Sequence, residues 1–404
     1  MLIGFARNTI LHVDADSFFA AVEVAQNPQL RGKAVCVLAA NAPCILAATY
    51  EAKRLGVHTA MPLHEAKKLL PADAKYIPAR FTLYAQYSAR MFRILRDFSP
   101  AVEEYSIDEA FVDLAGLKRL YKKSYAEIAK DIARRVEREL GLPVSIGVAC
   151  TRTLAKIASK KDKPRGLCEV PRKGLEEFLK SIKASDVPGL GYNSIALLAK
   201  YGVQSGFDFA SMHEEVVRKL LAKPGVTLWK ELRGEAVTQV VSETEAPKSL
   251  SRIRSFPLTD DFGFLKQHLI YHLAICTYKL RRMHMGARRV YVYIRDRNYN
   301  IVGAEWEDVR GHASALRFLS ATLPLFKAAA EGKTARSVGV VFSALTQGSN
   351  YQLSLFAEDN QITKQENLLI ASDKINIKYG AFTVRPAELF KVEDQRSLSI
   401  PRLG

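Results

Sequence analysis

The 404-residue chain exceeds what one hydrophobic core usually organises, so two to four domains are expected. Its 48% hydrophobic and 25% charged residues are ordinary for a globular protein, but its net charge of +17 is not. That charge points to a polyanion, nucleic acid before a membrane surface, since no long basic amphipathic helix stands out. Residues 1–8 lack the apolar core of a signal peptide. The apolar stretch 34–48, interrupted by Asn41 and Pro43, is too short to span a bilayer. Five scattered cysteines with no zinc-ligand spacing read as reduced, small apolar residues, so a cytoplasmic location without a membrane partner is expected.

In chain order, residues 9–14 form an apolar strand that runs into a helix over 18–24. Residues 33–38 and 45–48 are two further strands, 50–55 and 62–70 have helical periodicity, and 83–98 is a longer amphipathic helix. Apolar runs at 101–105 and 111–114 then flank a tight reversal. A helix at 124–140 stopped by Gly141, a strand at 143–150 and a helix at 154–161 follow. Strand, helix, strand, strand, helix, strand is the split βαβ, ferredoxin-like order, here with an insertion after its first strand. Residues 171–240 read as all helical, and 243–251, polar and carrying Pro247, as a tether. Beyond it a second βαββαβ succession predicts another compact domain, and 346–404 reads as a polar tail with little periodicity.

The reversal carries Asp108 and Glu109 side by side. Adjacent carboxylates repel unless a cation or basic group lies between them. With Asp14 from the first strand they would make a hard, oxygen-only site suited to Mg²⁺. The plainer reading is a solvated turn, which Asp favours. A basic side chain filling the gap between the acids would remove the case for a metal. In 187–191, Gly189 and Gly191 sit between short helical stretches and resemble a helix-hairpin-helix turn, where backbone N–H groups can approach a phosphate. Glycines also simply stop helices.

The ordered set Asp14-Ala15-Asp16-Ser17-Phe18-Phe19, Tyr50-Glu51-Ala52-Lys53, Ser106-Ile107-Asp108-Glu109-Ala110 and Lys163-Pro164-Arg165-Gly166 resembles the Y-family translesion DNA polymerases, over roughly residues 9–356. Residues 231–235 and the late Gln352–Phe356 peptide lean toward the UmuC type, whereas Tyr50 and the early aromatic motif look equally like the DNA polymerase IV type. The resemblance implies an α+β multidomain fold. A ferredoxin-like palm would take residues 1–18 and 80–170, and fingers 19–79. An all-helical thumb with the hairpin turn would take 171–240, a linker 241–250, and a βαββαβ little finger 251–345; the tail would be 346–404.

It also implies a low-fidelity, template-directed DNA polymerase that extends primer-template DNA past damaged bases with deoxynucleoside triphosphates. Two Mg²⁺ ions would be held by Asp14, the carbonyl of Ala15, Asp108 and Glu109. Asp16 is equally suited to a structural role. Phe19 matches the aromatic residue that stacks on the nucleotide sugar, with Phe18 beside it on the packing side; Tyr50, Lys53 and Lys163 match triphosphate contacts. Lys53 stands where Arg is frequent and Ala47 where a hydroxyl is common, so one phosphate hydrogen bond is missing. Arg152, Lys156, Lys160 and Lys161, and the stretch 279–297 with Arg282, Arg288 and Arg289, would track the DNA backbone. Gln352, Leu353, Leu355 and Phe356 resemble a sliding-clamp-binding peptide, its apolar anchors set in a polar stretch; the alternative is a buried edge strand. A UmuC-type enzyme would also need UmuD-like accessory subunits. Two other functions compete: a catalytically silent scaffold for DNA and clamp, and a nucleotide cyclase. Three retained acids disfavour the first, and the hairpin turn and clamp-like peptide have no use in the second.

Overall fold

The computed structural model describes residues 9–39, 44–171, 173–242, 246–347, 359–380 and 383–385. The chain divides near residue 244 into two compact units.

The first unit is built on β1 (Ile10–Ala15), which is buried along nearly its whole length as a central strand must be. After it come α1 (Phe18–Gln26), β2 (Val35–Leu38), β3 (Ile45–Ala48), α2 (Tyr50–Arg54), α3 (Leu63–Leu69), β4 (Lys75–Pro78) and α4 (Phe81–Arg96). Then follow β5 (Val102–Glu104), β6 (Glu109–Asp113), α5 (Leu117–Tyr121), α6 (Tyr125–Leu140), β7 (Val144–Ala149), α7 (Arg152–Lys161) and β8 (Leu167–Glu169). The main sheet runs β5-β6-β1-β7-β8, with β1 antiparallel to both β6 and β7. Its first four strands, with α4 and α6, have the ferredoxin-like order. Strand alternation separates the faces of β1. Leu11, Val13 and Ala15 pack with α1, α4 and α6, whereas Ile10 packs with α7.

The inserted sheet, β3-β2-β4, has a small core of its own from Ala34 to Ala74. Its parallel β2–β4 pair was not evident in the sequence. Phe18, Ala20, Ala21 and Val22 of α1 belong to the larger core instead, so this insertion's core begins well beyond residue 19, where the fingers were expected to start. The remaining helices, α8 (Leu175–Lys180), α9 (Tyr192–Ala199), α10 (Gly206–Ser211) and α11 (Glu214–Leu232), share one core with α7. The buried Glu231 joins the last of them to the start of α7, accepting from Thr153 N at 2.9 Å and Thr153 Oγ1 at 2.7 Å.

The second unit contains β9 (Leu250–Thr259), α12 (Phe262–Arg282), β10 (Met285–Asp296), β11 (Ile301–His312), α13 (Ala315–Ala330) and β12 (Ala335–Gln347). This is the expected βαββαβ succession. Its antiparallel sheet runs β11-β10-β12-β9, which differs from the order in the first unit, and α12 and α13 close its core. The tail, read as polar with little periodicity, contains α14 (Asp359–Tyr379), a helix the sequence reading did not place. Arg281 holds that helix through a paired contact with Asp373, at 2.6 and 2.9 Å. Among the described residues no helix is long and apolar enough to cross a membrane.

Candidate active site

The β1–β6 pairing sets Asp14 directly opposite Glu109, and Ala15 N donates to Asp108 O at 2.9 Å. Two acids some 95 positions apart are therefore cross-strand neighbours. Their oxygens, with a ring nitrogen of His12, lie within 4.8 Å of one another, a spacing that can hold a metal ion. Asp108 stands outside that trio, its Oδ1 accepting from Ser106 Oγ at 2.6 Å. Burial raises the Asp108 pKa, and the charges of Asp14 and Glu109 add to the rise. Burial pushes Glu109 the same way, but hydrogen bonds from His12 and Lys156 outweigh it and bring Glu109 down to about 2.

Two lysines neutralise the acids, one pairing with the acid on each strand. Lys163 Nζ donates to Asp14 and lies 3.7 Å from Asp16, while Lys156 Nζ reaches both Glu109 oxygens at 2.8 and 2.9 Å. Among the described residues no lysine or arginine bridges Asp14 to Asp108 or Glu109 within 4.0 Å. Lys156 and Arg152, expected along the DNA backbone, are both held in ion pairs within the first unit. Arg152 pairs with Glu103 at 2.6 Å and lies 4.5 Å over the Phe111 ring. Lys156 reaches Glu109 because α7 lies directly on β7. A Cβ at Gly147 would come within 2.0 Å of Ala155 O, so only glycine permits that approach.

Asp16 has a structural task. It is 1% exposed and accepts from Ser145 Oγ at 2.9 Å and Arg165 N at 2.8 Å, which fixes the loop that carries Lys163. Lys53 Nζ donates to Ser17 Oγ at 2.7 Å and sits 4.6 Å over the Tyr50 ring. Burial lowers the Lys53 pKa, and neighbouring Lys163 lowers it further. Burial, then the charges of Asp16 and Asp14, raise the Tyr50 hydroxyl. Two lysines and a phenol therefore edge the acids. Phe19, half-buried, contacts Tyr84, Phe18 and Phe81 with centroid distances of 4.6, 5.6 and 5.9 Å. Phe18 is 3% exposed within the core, which withdraws it from direct contact with a nucleotide.

Farther away, Gly189 takes φ +96° in the turn before α9 and Gly191 is that helix's N-cap. The segment before the turn is only a 3-10 turn, Ala184–Asp186, and not a full helix. Arg282 and Arg288 are exposed, whereas Arg289 pairs with Glu307 at 2.9 Å. Gln352, Leu353, Leu355 and Phe356 lie outside the described residues.

The family model described as impB/mucB/samB matches residues 13–160, and its C-terminal-domain model matches 247–355. DNA polymerase IV of Dehalococcoides mccartyi (strain CBDB1) is 32% identical over 390 residues, covering 95% of this chain and 98% of that protein. The chain belongs to the Y-family translesion DNA polymerases. DNA polymerase IV of Desulfatibacillum aliphaticivorans is 33% identical over 395 residues, 95% of this polymerase and 97% of that one. Among solved structures, a Y-family DNA polymerase chimera of Dbh and Dpo4 superposes with a TM-score of 0.71 at 25% identity, covering 84% of this chain and all of that one. An insertion ternary complex of Dbh DNA polymerase, at 24% identity and TM-score 0.60, shares the fold. The polymerase is thus a DNA-directed DNA polymerase whose mixed α/β fold is consistent with palm, thumb and little finger.

His12 escaped the sequence reading, although a signal existed: it stands two positions before Asp14 and so shares its face of β1. Lys156 carried no such signal, because its direction depends on how α7 rests on the sheet.

Proposed function

We propose that this chain extends primer-template DNA past damaged bases with low fidelity, by nucleotidyl transfer assisted by two Mg²⁺ ions. The observation that carries this reading is Asp14 facing Glu109 across adjacent strands, with Lys163, Lys53 and Tyr50 at the neighbouring edge. The donor set fits a hard dication, since hard ions take carboxylate and carbonyl oxygens. Asp14, Asp108, Glu109 and the carbonyl of Ala15 would hold it; when bound, it would acidify the primer hydroxyl and neutralise the leaving pyrophosphate.

The chain's own residues supply the rest. Lys53, Lys163 and Tyr50 would bind the triphosphate. As point charges, the lysines give it neutralisation without bidentate geometry. Phe19, walled by Tyr84 and Phe81, would stack on the sugar and leave no room for a 2′-hydroxyl. Gly189 and Gly191 with the α9 N-terminus, and Arg282, Arg288 and Arg289, would grip phosphates without reading sequence.

Two full-length relatives named DNA polymerase IV support that branch over the UmuC type, and hence activity without UmuD-like subunits. The Gln352–Phe356 peptide would dock on the sliding clamp, and replacing Leu355 and Phe356 with Ala should abolish binding to purified clamp. The deciding experiment is primer extension by the purified chain on damaged and undamaged templates. Extension is expected only with a divalent cation; synthesis in excess chelator would overturn the reading, and no synthesis without accessory subunits would overturn the branch.

A further inference from the structure

We propose, building on the polymerase reading above, that His12 is a positioning residue for the reaction: clasped between Ser159 and Glu109, its imidazole fixes the direction in which Glu109 meets the divalent cation. His12 is 0% exposed, and both ring nitrogens are engaged. Nδ1 lies 2.7 Å from Ser159 Oγ and Nε2 lies 2.9 Å from Glu109 Oε2. A carboxylate oxygen only accepts, so Nε2–H is the donor. The ring also packs on Phe111, with centroids 4.7 Å apart, which removes its freedom to turn away.

Burying an imidazole in an apolar core costs stability unless its nitrogens are paired. A phenylalanine would fill the same space without that requirement, so the donor itself is what the position supplies. Lys156 touches the same carboxylate, but through a flexible chain whose positive charge a bound dication would repel. The imidazole is fixed by the sheet on one side and by α7 on the other. Glu109 Oε2 accepts from both His12 and Lys156, whereas Oε1 accepts from Lys156 alone. Were Lys156 to move aside, His12 would go on holding Oε2 and so keep the carboxylate in one direction.

The test uses the full chain bound to primer-template DNA and a non-hydrolysable deoxynucleoside triphosphate, with Mn²⁺ binding followed by electron paramagnetic resonance. His12→Phe is expected to weaken Mn²⁺ binding about tenfold. The Mg²⁺ concentration for half-maximal insertion should rise in parallel, with DNA affinity unchanged. His12→Gln, whose amide N–H can replace Nε2–H, should restore most of the loss. Ser159→Ala should give a smaller loss of the same sign, and it decides alone should His12→Phe fail to fold. Folded His12→Phe or Ser159→Ala protein that binds Mn²⁺ like the parent would overturn the proposal. Asp14→Asn separates the two claims. If it too leaves Mn²⁺ binding intact, the metal-site reading itself fails; if it alone weakens binding, only the role of His12 fails.

Discussion

Phe19 shows how a side chain's surroundings set its exposure. Alone, an aromatic residue in the first turn of a helix is usually core; here its ring stays half-exposed because Phe18 takes the core position beside it. Phe19→Ala should remove the obstacle to a 2′-hydroxyl and raise ribonucleotide insertion relative to deoxynucleotide insertion by at least roughly tenfold. Single-nucleotide insertion kinetics would measure this, and an unchanged ratio would mean that another group excludes the hydroxyl. The acids were legible residue by residue, because Asp14 and the Asp108–Glu109 pair carry their own motifs. The charges around them were not. Lys156 and Arg152 look like surface cations in sequence, and only packing turned one onto Glu109 and the other onto Glu103.

At the scale of elements, α7 matters most to the site. It carries Lys156 and Ser159 and leads into the loop of Lys163, and its seat is Gly147 on β7. Gly147→Ala would force α7 away from the sheet, costing about 1–3 kcal/mol of stability and more insertion activity than that loss of folded protein explains. Urea unfolding together with insertion rates would check this; wild-type values for both would show that the helix has room to move.

A second elemental prediction concerns pH. In α12, His268 and His272 are buried, and burial, followed by nearby arginines, lowers their pKa to about 4 and about 3. Both folded values lie below the unfolded value of 6.5, so the unfolded chain binds more protons in that window. Their contribution is fully present above pH 6.5 and is lost as pH falls toward 4 and then 3, at up to ~1.4 kcal/mol per pH unit for each group. Unfolding midpoints between pH 7 and pH 4.5 should fall, and less so in His268→Gln; a flat profile would contradict the burial. Strand and helix succession in both units followed from periodicity. The short β4 and β8 and the polar α14 did not, because pairing to a neighbour or the Arg281–Asp373 contact stabilises them, with no apolar pattern of their own.

The whole molecule is a strongly basic chain, and that excess was the earliest sign of its partner. Some of the basic residues pair internally with Glu109, Asp14 and Glu103, but the net charge already counts those pairs, so the excess of +17 lies on other residues. DNA affinity should still fall about a thousandfold between 50 and 200 mM salt, as six or more phosphate contacts require. Anisotropy titrations would test it, and a nearly flat salt dependence would argue against a backbone track. The central claim is that Asp14, Asp108 and Glu109 act together on a nucleotide's phosphates through bound metal. Its most direct measurement is the rate of single-nucleotide insertion by Asp108→Ala beside its affinity for primer-template DNA. Insertion should drop at least about a thousandfold with DNA affinity within twofold of the parent. Undiminished insertion by the folded variant would contradict the account.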